Sequence, residues 1–342
     1  MKKVHLFSAT MLALTLAGSV QAQELTGRHP QQSKFYLKVT GGYFFSVFPG
    51  QFPNVGPFPP QDLHTEYNPT RPNPLDTISR KVLTGSYGEG ARGGIALGYN
   101  INRYMAVEAS FNYYHSRKNL MTKNLTTLAG SGKQLTSVES HGYVNAIDFA
   151  PSLVLNAGFE KVNPYVRVGF VIPLWGRLHI DTDVDQLTSP AGIPPGTMVQ
   201  TIIHRKEEVK PNITLGFQGA IGVNFYVSRR IDIFVEGEYR NVPVRSKEKE
   251  VTAFDQTNNI VNASTGAVVA PVPGQPTRGL GDLSVAERHT KYVTTLDKNS
   301  NMPINQIGSK VYYRNDNEPS NDLKSYINIG GLGANAGIKI KL

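Results

Sequence analysis

Hydrophobic and polar residues alternate with a period of two along residues 211–241. A period of two predicts an extended strand, because successive side chains point to opposite faces. The segment 227–230 interrupts the alternation, so two strands joined by a short turn are predicted. One face of the first strand carries Ile213, Leu215, Phe217, Gly219, Ile221, Val223 and Phe225.

The chemistry of the two faces indicates what surrounds these strands. The apolar face continues over seven alternate positions, whereas the opposite face is rich in Gly, Ala, Gln and Asn. An apolar exterior with a small, polar interior is typical of a transmembrane β-barrel, which is crossed by tilted strands of about 9 to 11 residues. The alternative is a long antiparallel sandwich in which the apolar face packs against a second sheet.

The same alternation recurs along the chain and predicts eight strands. They lie near residues 34–45, 91–101, 105–114, 147–156, 165–174, 213–226, 231–240 and the C-terminal residues up to 342. The connections alternate long and short, which is typical of outer-membrane barrels with short periplasmic turns and long extracellular loops. The long loops are predicted at about 48–88, 117–140, 177–204 and 245–322.

Two of the predicted long loops have distinctive sequences. The first is rich in proline and is expected to be unpaired, because proline lacks the N–H that a strand ladder needs. In the fourth, residues 289–296 and 310–314 could pair as a hairpin outside the membrane, or could add two strands to make ten.

The N-terminal residues have the pattern of a secretory signal. Lys2 and Lys3 precede an apolar run at 4–20, which ends in the small-residue site Val20-Gln21-Ala22. We therefore expect a signal peptide at 1–22 and a barrel domain at 23–342. No later segment offers the roughly 18 apolar residues that a membrane helix needs.

Composition narrows the possible partners. The chain has no Cys, so a large fold rather than disulfides must stabilise it. Its formal charge of +9 favours attraction to anionic headgroups, notably lipopolysaccharide phosphates. We expect no nucleic-acid partner, because no basic cluster is interleaved with aromatic residues.

Three features of the sequence are shared with a known group of proteins: the alternation of apolar and polar residues, the order of long and short loops, and the C-terminal strand 337–342. With these features the chain resembles the small OmpA-type eight-stranded outer-membrane β-barrels and the outer membrane protein beta-barrel domain family. The resemblance implies a closed antiparallel barrel in the outer membrane of a Gram-negative bacterium. It also implies insertion by the barrel-assembly machinery, which reads a C-terminal strand. That strand usually ends in an aromatic residue, whereas this chain ends in Leu342.

Two sets of strand residues follow from the alternation. The interior of an eight-stranded barrel is just wide enough to be filled by side chains. Inward charges of both signs therefore predict that salt-bridged side chains plug the lumen. The alternative is a small gated pore. The predicted lumen charges are Glu108, Asp148, Arg167, Glu236, Glu238 and Arg240. The predicted lipid-facing residues are Ile213, Leu215, Phe217, Ile221, Val223 and Phe225. Aromatic girdle residues are predicted at Trp175, Tyr43, Tyr99, Tyr104, Tyr113, Tyr165, Tyr226 and Tyr239.

One acidic pattern resembles part of a metal-binding motif. Asp181, Asp183 and Asp185 match the first half of a calcium loop, but Gln186 and Gly192 replace the required Gly and Glu. We expect a solvated acidic segment there, with no metal and no cofactor.

Another group contains the residue types of a hydrolase. Ser137, Glu139 and His141 would suit a lipid A-modifying enzyme, yet alternate residues on one strand lie about 7 Å apart, too far for a catalytic hydrogen-bond chain. We expect no enzyme and no catalytic residues.

The predicted function is a structural or surface-binding role carried by the extracellular loops, since loops on a rigid scaffold are where binding residues concentrate. The expected partners are outer-membrane lipid and lipopolysaccharide, and an extracellular ligand or membrane protein. The alternative is a small pore or a transporter of small solutes; a lipid A-modifying enzyme is a more remote one.

Overall fold

The computed structural model describes residues 33–47, 49–274, 277–307 and 310–342. The predicted signal peptide at 1–22 lies outside them. Eight strands form the barrel: β1 Phe35–Phe45, β2 Gly90–Asn100, β3 Met105–Ser116, β4 Gln134–Asn156, β5 Val162–Thr188, β6 Gly216–Tyr226, β7 Ile231–Asn241 and β8 Gly331–Lys341. Each strand pairs antiparallel with the next, and β8 pairs with β1 from Lys341 opposite Tyr36 to Leu332 opposite Phe45. The eight-stranded antiparallel barrel is confirmed, so the alternative of ten strands is wrong.

Short turns join β2 to β3, β4 to β5 and β6 to β7. In the first turn, the Asn102 side-chain oxygen accepts the backbone N–H groups of Tyr104 and Met105. In the second, Gly158 has a φ of +80°, a left-handed conformation that favours glycine, and its N–H donates to Asn163. Local hydrogen bonds therefore close this end of the barrel compactly.

The lipid-facing strand begins later than the alternation predicts. β6 starts at Gly216, so Ile213 and Leu215 belong to an unpaired segment that leads into it. The preceding strand ends at Pro211 and pairs with the last part of β5. After this break the chain pairs with the first part of β5 and with β7.

The long connections are largely β-structure rather than irregular loops. Their strands are Gly50–Gln51, Gln61–Tyr67, Leu75–Val82, Thr84–Gly85, Asn119–Leu128, Thr197–Pro211, Pro243–Asn262, Val268–Pro271, Thr277–Gly279, His289–Val293, Pro303–Ile307, Lys310–Tyr313, Ser320–Leu323 and Tyr326–Asn328. A 3₁₀ turn at Leu280–Asp282 and a one-turn helix at Val285–Arg288 complete the described elements. None of the described helices is long and apolar enough to cross a membrane.

These strands extend the barrel wall into what we call the outer sheet. Its strands run in the order Leu75–Val82, Gln61–Tyr67, Asn119–Leu128, the first part of β4, the last part of β5, Thr197–Pro211 and Pro243–Asn262. The outer sheet is thus continuous with β4 and β5.

The prediction that the proline-rich connection is unpaired is wrong for four of its segments. Gly50–Gln51 pairs with Thr84–Gly85. Gln61–Tyr67 and Leu75–Val82 pair with each other and contain no proline. Pro60 and Pro74 directly precede the two strands, so no ladder donor is lost within either of them.

The hairpin expected in the fourth connection is also wrong. His289–Val293 pairs with residues 248–250 on one side and with Ser320–Leu323 on the other. Lys310–Tyr313 pairs instead with Pro303–Ile307. Alternation within these short segments indicated strands but could not identify their partners.

Candidate functional site

The middle of the barrel contains a layer of buried charges. All six predicted lumen residues are at most 7 % exposed. Lys38 on β1 and Arg92 on β2 are buried with them and were not predicted, although both have the inward parity of their strands. We call these eight residues the lumen charge layer, which balances four carboxylates against four cations: Glu108, Asp148, Glu236 and Glu238, with Lys38, Arg92, Arg167 and Arg240.

In the part of the layer nearer the short turns, Glu236 is the main acceptor. Arg167 Nη2 lies 2.6 Å from Glu236 Oε1, and Lys38 Nζ lies 3.2 Å from Glu236 Oε2. Tyr165 also donates its hydroxyl to Glu236, at 2.7 Å. Phe234, an apolar residue on the inward face of β7, is fully buried and has Lys38 Nζ 4.1 Å from its ring centre.

In the part nearer the outer sheet, Arg240 joins two carboxylates. Its Nη1 lies 3.0 Å from both oxygens of Asp148, and its Nε donates to Glu238. Asn112 also donates to Asp148, at 2.7 Å. Asp148 therefore has two donors, and Glu238 has a second one in Asn335, as a buried charge requires.

Arg92 is held differently from the other cations. Its guanidinium carbon lies 4.2 Å from the ring centre of Phe44 and 4.9 Å from that of Tyr114. Its Nε and Nη1 have no hydrogen-bond partner among the described residues. The cavity that Arg92 lines has a volume of about 20 Å³, enough for about one water molecule and too small for a hydrated ion.

An apolar layer covers the charges on the side of the outer sheet. The first long connection contributes Phe52, Val55 and Tyr87 to it. Tyr114 packs there and donates its hydroxyl to the Tyr87 carbonyl, at 2.5 Å. We call this set the apolar cover: Phe52, Val55, Tyr87, Tyr114, Met121, Val144, Ala146, Ala150, Val171, Leu178, Ile180, Val209, Val242 and Ile329. Charged and apolar side chains together fill the lumen.

The outer face of the barrel carries the exposed apolar side chains. Of the predicted lipid-facing residues, Ile213 and Ile221 are the most exposed, at 92 % and 72 %, and the other four are exposed or partly exposed. Seven of the eight predicted girdle aromatics are exposed as well. Tyr165 is the exception: it faces the lumen, so its assignment to the girdle is wrong, and the parity of β5 explains why.

The comparisons with known proteins agree with this geometry. A model of the family described as "Outer membrane protein beta-barrel domain" matches residues 10–268, most of the chain. The chain belongs to this family.

Other comparisons add little to that family assignment. No curated protein sequence matches the chain. Two solved structures of OmpT, an in-vitro folded outer membrane protein of Vibrio cholerae, align at 8 % identity. For the trimer form the TM-score is 0.09, with 90 % of this chain and 98 % of that chain covered. For the other form it is 0.08, with 93 % and 99 % covered. Structural similarity at this level supports no conclusion about the fold or the function of this chain.

Outer-membrane barrels place their short turns in the periplasm and their long connections outside the cell. In this family member, the turns at 101–104, 157–161 and 227–230 are therefore periplasmic. The outer sheet and the apolar cover lie toward the extracellular side.

The structure separates the residues that resembled a hydrolase. His141 Nε2 lies 3.5 Å from Glu139 Oε1. Ser137 and His141, however, lie four residues apart on β4, a rise of about 13 Å along an extended strand. Ser137 is therefore out of reach of the imidazole that would have to deprotonate it.

The three aspartates are on a strand rather than in a loop. Asp181 Oδ2 lies 3.4 Å from Lys118 Nζ, Asp183 Oδ1 lies 2.6 Å from His204 Nδ1, and Asp185 accepts a hydrogen bond from Gln200 at 2.9 Å. Among the described residues, no group of three or more His, Asp or Glu side chains could hold a metal ion.

One buried carboxylate in the outer sheet has a strongly perturbed pKa. Burial alone would raise the pKa of Glu207. Arg205 Nη2 at 2.8 Å and Lys249 Nζ at 2.9 Å outweigh burial and lower the pKa to about 2. Glu207 therefore stays ionised at neutral pH and ties the strand Thr197–Pro211 to Pro243–Asn262.

Proposed function

We propose that this integral barrel protein acts by surface binding, through the outer sheet, in the outer membrane of a Gram-negative bacterium. One observation supports this above the others: the long connections fold into a sheet continuous with β4 and β5, while side chains fill the lumen. A rigid extension above a filled barrel suits contact with a partner better than conduction.

The edge of the outer sheet is the proposed binding position. Leu75–Val82 pairs with Gln61–Tyr67 on one side, and its other side has no ladder partner within the described part of the chain. Leu75, Ile78 and Val82 are each 55–56 % exposed. An edge strand can accept an extended segment of another chain through backbone hydrogen bonds.

The side chains of this edge strand indicate the kind of partner. Arg80 and Lys81 are exposed beside the apolar residues, so an extended protein segment with acidic and apolar side chains would suit the edge. Such a segment could belong to an extracellular ligand or to another membrane protein. The other proposed partners are outer-membrane lipid with lipopolysaccharide, and the barrel-assembly machinery during insertion.

Site-specific photocrosslinking tests the binding position. A photoreactive amino acid at Ile78 should give discrete protein adducts on intact cells, whereas the same group at Ile233, an exposed residue of β7 within the lipid-facing surface, should not. Absence of adducts at Ile78, or an equal pattern at both positions, would contradict the proposal.

The alternatives have less support. A water-filled pore would need a path through the lumen charge layer and the apolar cover. A lipid A-modifying enzyme would need a nucleophile within reach of His141. We therefore propose a protein without catalytic residues.

A further inference from the structure

The barrel wall is interrupted between β5 and the chain that faces it. β5 pairs with β6 up to Val171 opposite Gly216, and pairs with Thr197–Pro211 only from Leu178 onward. Residues 172–177 thus have no ladder partner on this side in the described chain. On their other side, the register with β4 shifts between Pro173 and Trp175.

This interruption opens a cavity of about 40 Å³ that we call the lateral notch. Trp175 and Pro211 line it, and the exposed Trp175 places it at the lipid-facing surface. Its inner lining belongs to the apolar cover and comprises Val144, Ala146, Leu178, Val209 and Ile329. The apolar interior above the lumen charge layer is therefore reached from the side of the barrel.

The surroundings of the notch are apolar on one side and basic on the other. Ile213 and Leu215, both exposed, extend the lipid-facing surface up to it. Arg177 and Arg245 also line it, and Arg177 lies over the Trp175 ring at 5.5 Å.

Acidic groups near these arginines leave part of their charge available. Glu208 is 3.8 Å from Arg177 Nε and 3.5 Å from His179 Nδ1, so Arg177 shares this carboxylate with the imidazole. Glu248 faces Lys210, at 3.1 Å. Arg245 lies 5.1 Å from the Tyr326 ring centre.

We propose that the lateral notch binds the headgroup-proximal part of one acyl chain of an anionic lipid of the outer leaflet, with the lipid's acidic headgroup at Arg177 and Arg245. The notch is continuous with the lipid-facing surface, and its charge complements such a headgroup. Its volume is well below the roughly 150 Å³ of a cavity that accepts benzene. It therefore receives only the first few carbons of one chain, while the rest of that chain lies against Trp175 and Leu215. This site is separate from the edge strand, so either proposal can fail alone.

Gly176 provides a variant that fills the notch. A Cβ added there would lie 3.7 Å from Ala146 Cβ, Asn145 O and Pro211 Cγ, which is ordinary contact distance. The longer side chain of Gly176→Leu would occupy the space beyond. Gly219→Leu is the matched control, because a Cβ at Gly219 on β6 meets nothing within 4 Å.

Trp175 is the protein's single tryptophan, so its fluorescence reports on the notch directly. The protein in detergent micelles is titrated with traces of phosphatidylglycerol carrying a brominated chain, which quenches tryptophan on contact. We expect saturable quenching at one lipid per barrel, with at least tenfold weaker apparent affinity in Gly176→Leu and no change in Gly219→Leu. Phosphatidylcholine with the same chain should bind more weakly, and Arg177→Gln with Arg245→Gln should remove that difference.

Three results would overturn the proposal. Non-saturable quenching, or equal quenching in Gly176→Leu, would show that lipid merely touches the outer surface. Saturation by a brominated fatty acid at lower concentration than the phospholipid would assign the notch to a single-chain solute instead. If Gly176→Leu does not fold, native mass spectrometry of the unmodified protein decides: retention of one phosphatidylglycerol supports the proposal, and retention of none refutes it.

Discussion

Replacing Arg240 by alanine tests whether the lumen charge layer stabilises the barrel. The substitution removes both 3.0 Å contacts to Asp148 and the hydrogen bond to Glu238. Removing one partner of a buried ion pair costs about 3–5 kcal/mol, because it leaves charge buried without compensation. Asp148 keeps its bond from Asn112 and Glu238 keeps one from Asn335, so we expect the lower end, about 3 kcal/mol.

The measurement is reversible urea unfolding in lipid vesicles, followed by the difference in gel migration between folded and boiled protein. A loss of about 3 kcal/mol corresponds to a more than hundredfold change in the unfolding equilibrium constant. Asp148→Ala and the double variant complete a cycle. If Arg240 and Asp148 interact as their geometry indicates, the double variant should lose less unfolding free energy than the sum of the losses in the two single variants.

Arg240→Lys is the matched control, because it keeps the charge but loses the planar fork that spans both Asp148 oxygens. We expect its free energy of unfolding to lie between that of the native protein and that of Arg240→Ala. A loss below about 1 kcal/mol in Arg240→Ala, or strict additivity in the cycle, would refute the reasoning that this layer holds the barrel together.

Three further predictions address the lumen, the lipid-facing surface and the outer sheet. The native protein should show no open-channel steps in planar bilayers, because the cavity in the charge layer is about 20 Å³; steady ohmic conductance would contradict a filled lumen. Ile221→Arg, at mid-strand on the lipid-facing surface, should cost about 2–4 kcal/mol of unfolding free energy. Val269→Arg, also at an exposed apolar residue but on the strand Val268–Pro271 that pairs with Pro243–Asn262, should cost under about 0.5 kcal/mol. Equal losses would argue against lipid at Ile221. Folding lowers the pKa of Glu207 from its ordinary 4.5 to about 2, so the ionised carboxylate stabilises the folded protein. This contribution to the free energy of unfolding, on the order of 3 kcal/mol, is fully present above pH 4.5 and is lost as the pH falls toward 2. Glu207→Gln should flatten the acid dependence of amide exchange in the outer sheet over that window, and an unchanged dependence would disprove the role of Glu207.

The sequence alone predicted most of the membrane-spanning part of the barrel, although it began β6 too early and placed Tyr165 on the wrong face. In membrane barrels lipid lies against the outward side chains of the spanning band, so alternation such as that of Phe217, Ile221 and Phe225 indicates which face points outward. The same parity placed Glu108, Arg167 and Glu236 inside. It would also have placed Lys38 and Arg92 there if followed back along β1 and β2.

The outer sheet could not be predicted in this way. Its strands face water on at least part of both faces, so a segment such as Thr197–Pro211 shows no apolar alternation, although it pairs along most of its length. Prolines flanking Gln61–Tyr67 further suggested a loop. Which strands pair is determined by hydrogen bonds between backbone groups. These bonds do not require any particular pattern of polar side chains.

What the sequence by itself determined is the protein's class and the direction of most of its barrel side chains, because a repeating environment imposes a repeating pattern. The choice between eight and ten strands came from the structure. Only the tertiary structure decided which charges share Glu236 and Asp148, which sheet the long connections build, and where the wall opens beside Trp175. Those features depend on contacts between residues that are far apart in the chain. A local pattern of apolar and polar residues does not specify such contacts.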